Sequence, residues 1–122
     1  MSLFTAFNNV LLDFMDDCIL VFPEEKDFNV FKKGIVLLKK FNPKKIPILF
    51  KEYVKFYKKE IKNRNEDFFL KNNYKDIDII KDDNEIFNII NKIKEYWKTL
   101  SEENKNKIWN YLDIMIKLTD NI

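Results

Sequence analysis

The sequence predicts an all-α fold, a compact bundle of four to five helices in a single domain over residues 1–122. Three observations predict it. Apolar residues recur at the i, i+3, i+4 spacing of a helix face through each long segment. Helix-ending and helix-starting signals at Pro23, Asn42-Pro43 and Ser101 fall between those segments. The composition is 46% hydrophobic and 16% aromatic over 122 residues, with twelve Phe, which is enough to bury a core without disulfides or metal.

The first helix is expected over residues 3–22. Phe4, Phe7, Leu11, Phe14, Cys18 and Val21 form its apolar face, and Pro23 ends it by disfavouring helical backbone at Phe22. A second helix is expected over 25–40. Its face comprises Phe28, Phe31, Ile35, Leu38 and Phe41, and Gly34 offers a place for another helix to approach closely. At Asn42-Pro43 the chain breaks. Pro47 would remove a helix bond if a helix already ran from Pro43, so the third regular helix is expected from Pro47 to about Lys62. Leu49, Phe50, Tyr53, Val54, Tyr57 and Ile61 carry its face.

Residues 63–84 lack a steady period. Phe68-Phe69-Leu70 is an apolar knot, Asn72-Asn73 reads as a turn, and Ile77, Ile79 and Ile80 suit a short strand or a short helix. A fourth helix is expected over 84–100, with Ile86, Phe87, Ile90, Ile93 and Trp97 inward. Ser101 then caps a fifth helix, and Glu102 and Glu103 favour its first turn through the helix dipole. Ile108, Trp109, Leu112, Met115 and Ile116 form its face. Tyr111, Ile114 and Leu118 widen that face enough to predict burial on more than one side.

The residue inventory is poor in chemistry. The chain has no His, one Cys and one Gly. These counts remove His-based acid–base schemes, a thiolate zinc cluster and a Gly-rich phosphate loop. No catalytic, cofactor-binding or metal-ligating residue is expected, so the chain reads as a non-enzyme that needs no divalent metal to fold. Cys18 reads as a small buried residue. Asp13, Asp16 and Asp17 share a face of the first helix and read as solvated. Asp76, Asp78, Asp82, Asp83 and Glu85 match a calcium loop only superficially, since Ile80 and Lys81 stand where a ligand and a Gly are required. No apolar run reaches membrane-span length, and acids interrupt the N-terminal run, which points to a cytoplasmic protein.

Charge is distributed unevenly. Residues 1–30 carry six acids and one Lys, and residues 31–64 carry twelve bases and two acids. Residues 65–85 return to seven acids and three bases, and the whole chain nets +2. The basic block could meet nucleic-acid phosphates, most directly through Lys55, Lys58, Lys59 and Lys62. A solvated face is favoured instead, because Phe41, Tyr53 and Tyr57 sit at core spacing and the chain has a single Arg for base readout.

The stretch Tyr96-Trp97-Lys98-Thr99-Leu100-Ser101-Glu102-Glu103-Asn104-Lys105-Asn106-Lys107-Ile108-Trp109-Asn110-Tyr111-Leu112 resembles a segment of small all-helical proteins of giant double-stranded DNA viruses. Their shared features are an aromatic helix end, a Leu-Ser turn, a Lys, and Ile-Trp-x-Tyr-Leu. The Phe-rich helix from Phe7 to Phe22-Pro23 is similar in style, and Lys, Ile and Asn supply 52 of the 122 residues, a bias that suits A/T-rich genomes. The resemblance implies an all-helical fold, a viral origin and location in host cytoplasm or virion. It supplies no catalytic motif. The expected function is therefore a non-enzymatic interaction or structural protein with a protein partner, a virion component or an assembly or host-interaction factor. The alternative is an accessory protein that binds nucleic acid nonspecifically through residues 32–64.

Overall fold

The computed structural model describes residues 2–71 and 84–122, with the backbone alone for residues 84–87. Six helices run through the described residues: α1 (Leu3–Val21), α2 (Lys26–Phe41), α3 (Lys45–Lys62), α4 (Glu66–Lys71), α5 (Asn84–Trp97) and α6 (Glu102–Asp120). No strand occurs among them. The fold is all-α, with one short helix more than the sequence predicts.

Local chemistry explains most boundaries. Ser2 caps α1 by accepting a hydrogen bond from the Thr5 amide (3.1 Å), and Ser101 caps α6 in the same way from Asn104 (3.1 Å). The residue before Pro23 leaves the helical region, and the Phe22 amide closes α1 on the Cys18 carbonyl at 2.9 Å. Glu25 is the cap of α2 rather than its first residue, and its carboxylate accepts from the Asp27 amide (3.2 Å).

The α2–α3 junction corrects two sequence expectations. Asn42 ends α2, its amide bonding to the Leu38 carbonyl at 2.7 Å, and does not cap α3. Helix α3 is already regular at Lys45, so Pro47 lies within its first turn. A proline is tolerated there because the first amides of a helix have no intrahelical acceptor. Buried Asn8 of α1 donates to the Pro43 carbonyl at 2.9 Å and ties this corner to the bundle.

The apolar knot at 68–70 is the helix α4. Asn65 starts it by accepting from the Phe68 amide (3.0 Å), and Glu66 and Asp67 fill its first turn. Just before it, Arg64 adopts a left-handed φ of 54°, and the Asn65 amide reaches back to the Glu60 carbonyl at 3.0 Å. That is the helix-ending motif in which Gly is usual. The expectations at Asn72-Asn73, at Ile77, Ile79 and Ile80, and at Asp76 to Asp83 lie outside the described residues, as do the side chains of Glu85, Ile86 and Phe87.

Helix α1 packs on α2 and α6, and α6 also packs on α3. The core forms two clusters. One holds Phe14, Met15, Phe28 and Ile35 from α1 and α2. The other holds Val54, Ile61, Trp97, Trp109 and Ile116 from α3, α5 and α6. Trp97 and Trp109 meet edge to face at 5.4 Å, and Phe69 of α4 meets Trp97 at 5.3 Å. Leu112 is half-buried against the second cluster, as are Tyr53 and Tyr57. The widened face of α6 stops short of Ile114, which is exposed.

Candidate interaction surface

Helix α2 carries two apolar faces. Phe28 and Ile35 are buried, with Phe31 packed against them and Leu38 half-buried. Val30, Leu37 and Phe41 are 61%, 57% and 75% exposed. Periodicity predicts Phe41 on the inner face, and the helix places it outside. It follows Ile35 by six positions, which turns it about 120° away at 100° per residue, whereas steps of seven and four align it with Val30 and Leu37. Isolated exposed apolar residues are ordinary; an aligned set on one helix is less so. Exposed Lys33 and Lys40 border the set, and the Lys40 ammonium stands 5.6 Å from the Phe41 ring centroid.

Beside Val30 lies a groove of about 490 Å³ between α2 and α5. Asp27, Val30, Phe31, Gly34, Ile35 and Leu38 line it from α2, and Asn88, Ile89, Asn91, Lys92 and Glu95 line it from α5. Gly34 thus fronts a groove among the described residues rather than the close helix crossing expected from the sequence.

Much of the basic block faces partners within the chain. Lys58 donates to both carboxylate oxygens of Asp120 (2.8 and 2.9 Å), and Lys55 pairs with Glu52 at 3.1 Å. Lys51 donates to the Ile122 carbonyl (2.7 Å), and Arg64 reaches Asp113 (2.9 Å) and Asn110 (3.3 Å). Lys32 pairs with Asp16 and Lys39 donates to Asn9, each at 2.5 Å. Cations at the end of α6 also meet the negative end of its dipole. Lys59 and Lys62 are exposed and pair with no described acid.

Two of the three acids on the acidic face of α1 are likewise engaged, while Asp13 and Asp16 remain exposed. Asp16 meets Lys32, and Asp17 accepts a hydrogen bond from the Tyr111 hydroxyl. Among the described residues no group of three or more potential ligands is placed to hold a metal. Cys18 is half-buried, and burial, with the Asp17 charge adding, pushes its thiol up to about 12. Such a thiol stays protonated and is a poor nucleophile.

Two carboxylates are held below their usual range. Glu25 is lowered first by the Tyr96 hydroxyl, which donates to it at 2.5 Å, and further by Lys92. The same bond raises Tyr96. Glu66 is lowered first by Lys105, which donates to it at 3.1 Å. Burial and then the Asp17 contact raise Tyr111. Each of these bonds joins side chains of different elements, so the perturbed groups act as fasteners.

Between the two core clusters lies a cavity of about 180 Å³. Phe14, Met15 and Ile35 line it from one cluster, and Ile61 and Trp109 from the other.

No protein-family model, curated protein or solved structure matches this chain. No helix among the described residues is long and apolar enough to cross a membrane.

Sequence periodicity misses the outer stripe of α2, although the signal is present in the 30, 37, 41 spacing. It is obscured because the inner stripe of Phe28, Phe31, Ile35 and Leu38 already accounts for half of the large apolar residues of that helix. The four lysines singled out from the sequence do share α3, but the structure divides them into paired Lys55 and Lys58 and exposed Lys59 and Lys62, which have no described acid beside them.

Proposed function

We propose that this chain is a non-enzymatic interaction protein that receives a protein partner on the outer face of α2. The observation that carries the reading is the aligned exposure of Val30, Leu37 and Phe41 beside a groove that is mostly apolar on its α2 side and mostly polar on its α5 side. Apolar side chains of a partner would cover the stripe, and Lys33 and Lys40 favour acidic residues at its edge. A role in a virion, in assembly or in host interaction belongs to the same proposal and rests on the viral resemblance.

Nonspecific nucleic-acid binding through Lys55, Lys58, Lys59 and Lys62 is the second reading. Exposed Lys59 and Lys62 favour it, and the internal pairing of Lys55 and Lys58 weakens it, since a paired Lys releases fewer counterions.

The test is affinity purification from the producing cells with the unaltered chain and with a Leu37→Asp, Phe41→Asp variant. Both positions are exposed, so helicity and melting temperature should hold. Loss of a recovered protein from the variant supports the proposal, and full retention of every recovered protein refutes it. Recovery of nucleic acid that disappears at moderate salt, and on neutralising the four lysines, would put the second reading first.

A further inference from the structure

We propose that the chamber between the two core clusters is a binding site for a small, uncharged apolar molecule. The chamber shares Ile35 and Ile46 with the groove beside α2, while the exposed stripe of Val30, Leu37 and Phe41 lies outside it.

Protein interiors are ordinarily packed like organic crystals, with few voids larger than a water molecule. Here about 180 Å³ separates Phe14 and Met15 from Ile61 and Trp109. Water is a poor occupant, because a buried water needs two to four polar partners and this wall is almost entirely carbon. An apolar cavity of about 150 Å³ stays dry and accepts benzene or xenon. The chamber therefore has room for an aromatic ring with a small substituent or for a short aliphatic chain.

The wall also indicates where a ligand enters and what charge it lacks. Glu60, Asn65 and Phe68 belong to the lining, at the corner between α3 and α4. Asn65 is exposed, so the chamber reaches the surface there. Its side-chain amide donates to the Glu60 carboxylate at 2.8 Å. An anion passing that corner meets the Glu60 charge and then a chamber with nothing to pair it. A cation could meet Glu60 at the entrance but would lose its hydration inside. An uncharged apolar molecule meets neither obstacle.

Methionine provides the readout. The chain has three, Met1, Met15 and Met115, and the last two line the chamber. Full-length protein labelled with ¹³C at the methionine methyls should be titrated with benzene, with n-hexane and with sodium hexanoate. The expected result is a saturable shift of the Met15 and Met115 resonances with benzene, hexane or both, while hexanoate has no effect. Whichever hydrocarbon binds tighter assigns the site to rings or to chains. Leu112→Phe adds volume at the wall and should weaken binding at least tenfold with unchanged helicity; Ile46→Phe, on another element, serves if that variant fails to fold. Unmoved Met15 and Met115 resonances up to the solubility of both hydrocarbons would overturn the proposal. So would equal binding of hexanoate, or undiminished binding in a folded filled variant.

Discussion

The two core clusters are of similar size but are closed by different chemistry. The cluster of Phe14, Met15, Phe28 and Ile35 is bordered by half-buried hydrogen bonds from tyrosine to carboxylate, Tyr111 to Asp17 and Tyr96 to Glu25. The cluster of Val54, Ile61, Trp97, Trp109 and Ile116 is bordered by the more exposed ion pairs Lys58 with Asp120 and Arg64 with Asp113, and beside Trp97 by the half-buried bond from Lys105 to Glu66. Charge-assisted hydrogen bonds away from water contribute more than exposed pairs, which solvent and salt weaken. The two halves should therefore respond alike when their cores are cut and differently when their edges are.

The largest effects test the likeness. Trp109→Ala and Phe28→Ala should each cost about 3–5 kcal/mol, read from denaturant melts. A Trp109 variant as stable as the unaltered chain would mean that this ring is not a core group. A Phe28 variant with no cost would make the α1–α2 cluster dispensable.

Cutting the edges should separate the halves. Tyr111→Phe leaves the Asp17 carboxylate without its donor and should cost about 1.5 kcal/mol. Equal stability of this variant and the unaltered chain would remove the distinction between the two edges.

Acid should sharpen the comparison further. Because Tyr96 holds Glu25 below its ordinary 4.5, the stabilisation from ionised Glu25 is complete above that value and is lost as pH falls through the lower folded value. Glu66, lowered by Lys105, acts in the same direction. The melting temperature should fall as pH drops below about 4.5. Tyr96→Phe should flatten part of that fall, because it removes the principal cause of the Glu25 shift. An identical profile in the variant would show that this bond does not set the acid response.

The smallest effect belongs to the exposed pair. Both members of Lys58–Asp120 are about half exposed, at 52% and 48%. Lys58→Ala should change stability by about 0.5 kcal/mol or less, and less again at high salt. A loss as large as that of Tyr111→Phe would contradict the ranking.

Local sequence determines the long helices, because their signals act within one turn. Ser2 and Ser101 satisfy nearby amides, Pro23 restricts the residue before it, and the buried positions Phe7, Phe14, Phe28, Ile35, Trp97 and Trp109 recur at helical spacing. Six-residue α4 is too short to show a period, though Asn65 followed by Glu66 and Asp67 is a legible start. The start of α3 is hard to place from sequence because Pro47 looks like an interior residue, and only the observed first turn shows that its missing amide costs no hydrogen bond. Phe41 reads as inward because it stands next to the apolar inner face in sequence, although its azimuth matches Val30 and Leu37. Tertiary structure alone decides which charges pair. Lys58 lies 62 residues from Asp120 and Arg64 lies 49 from Asp113, and no local rule relates such positions. It alone also decides that the two clusters leave a chamber between them, because the volume between helices depends on how several of them meet and not on the period of any one.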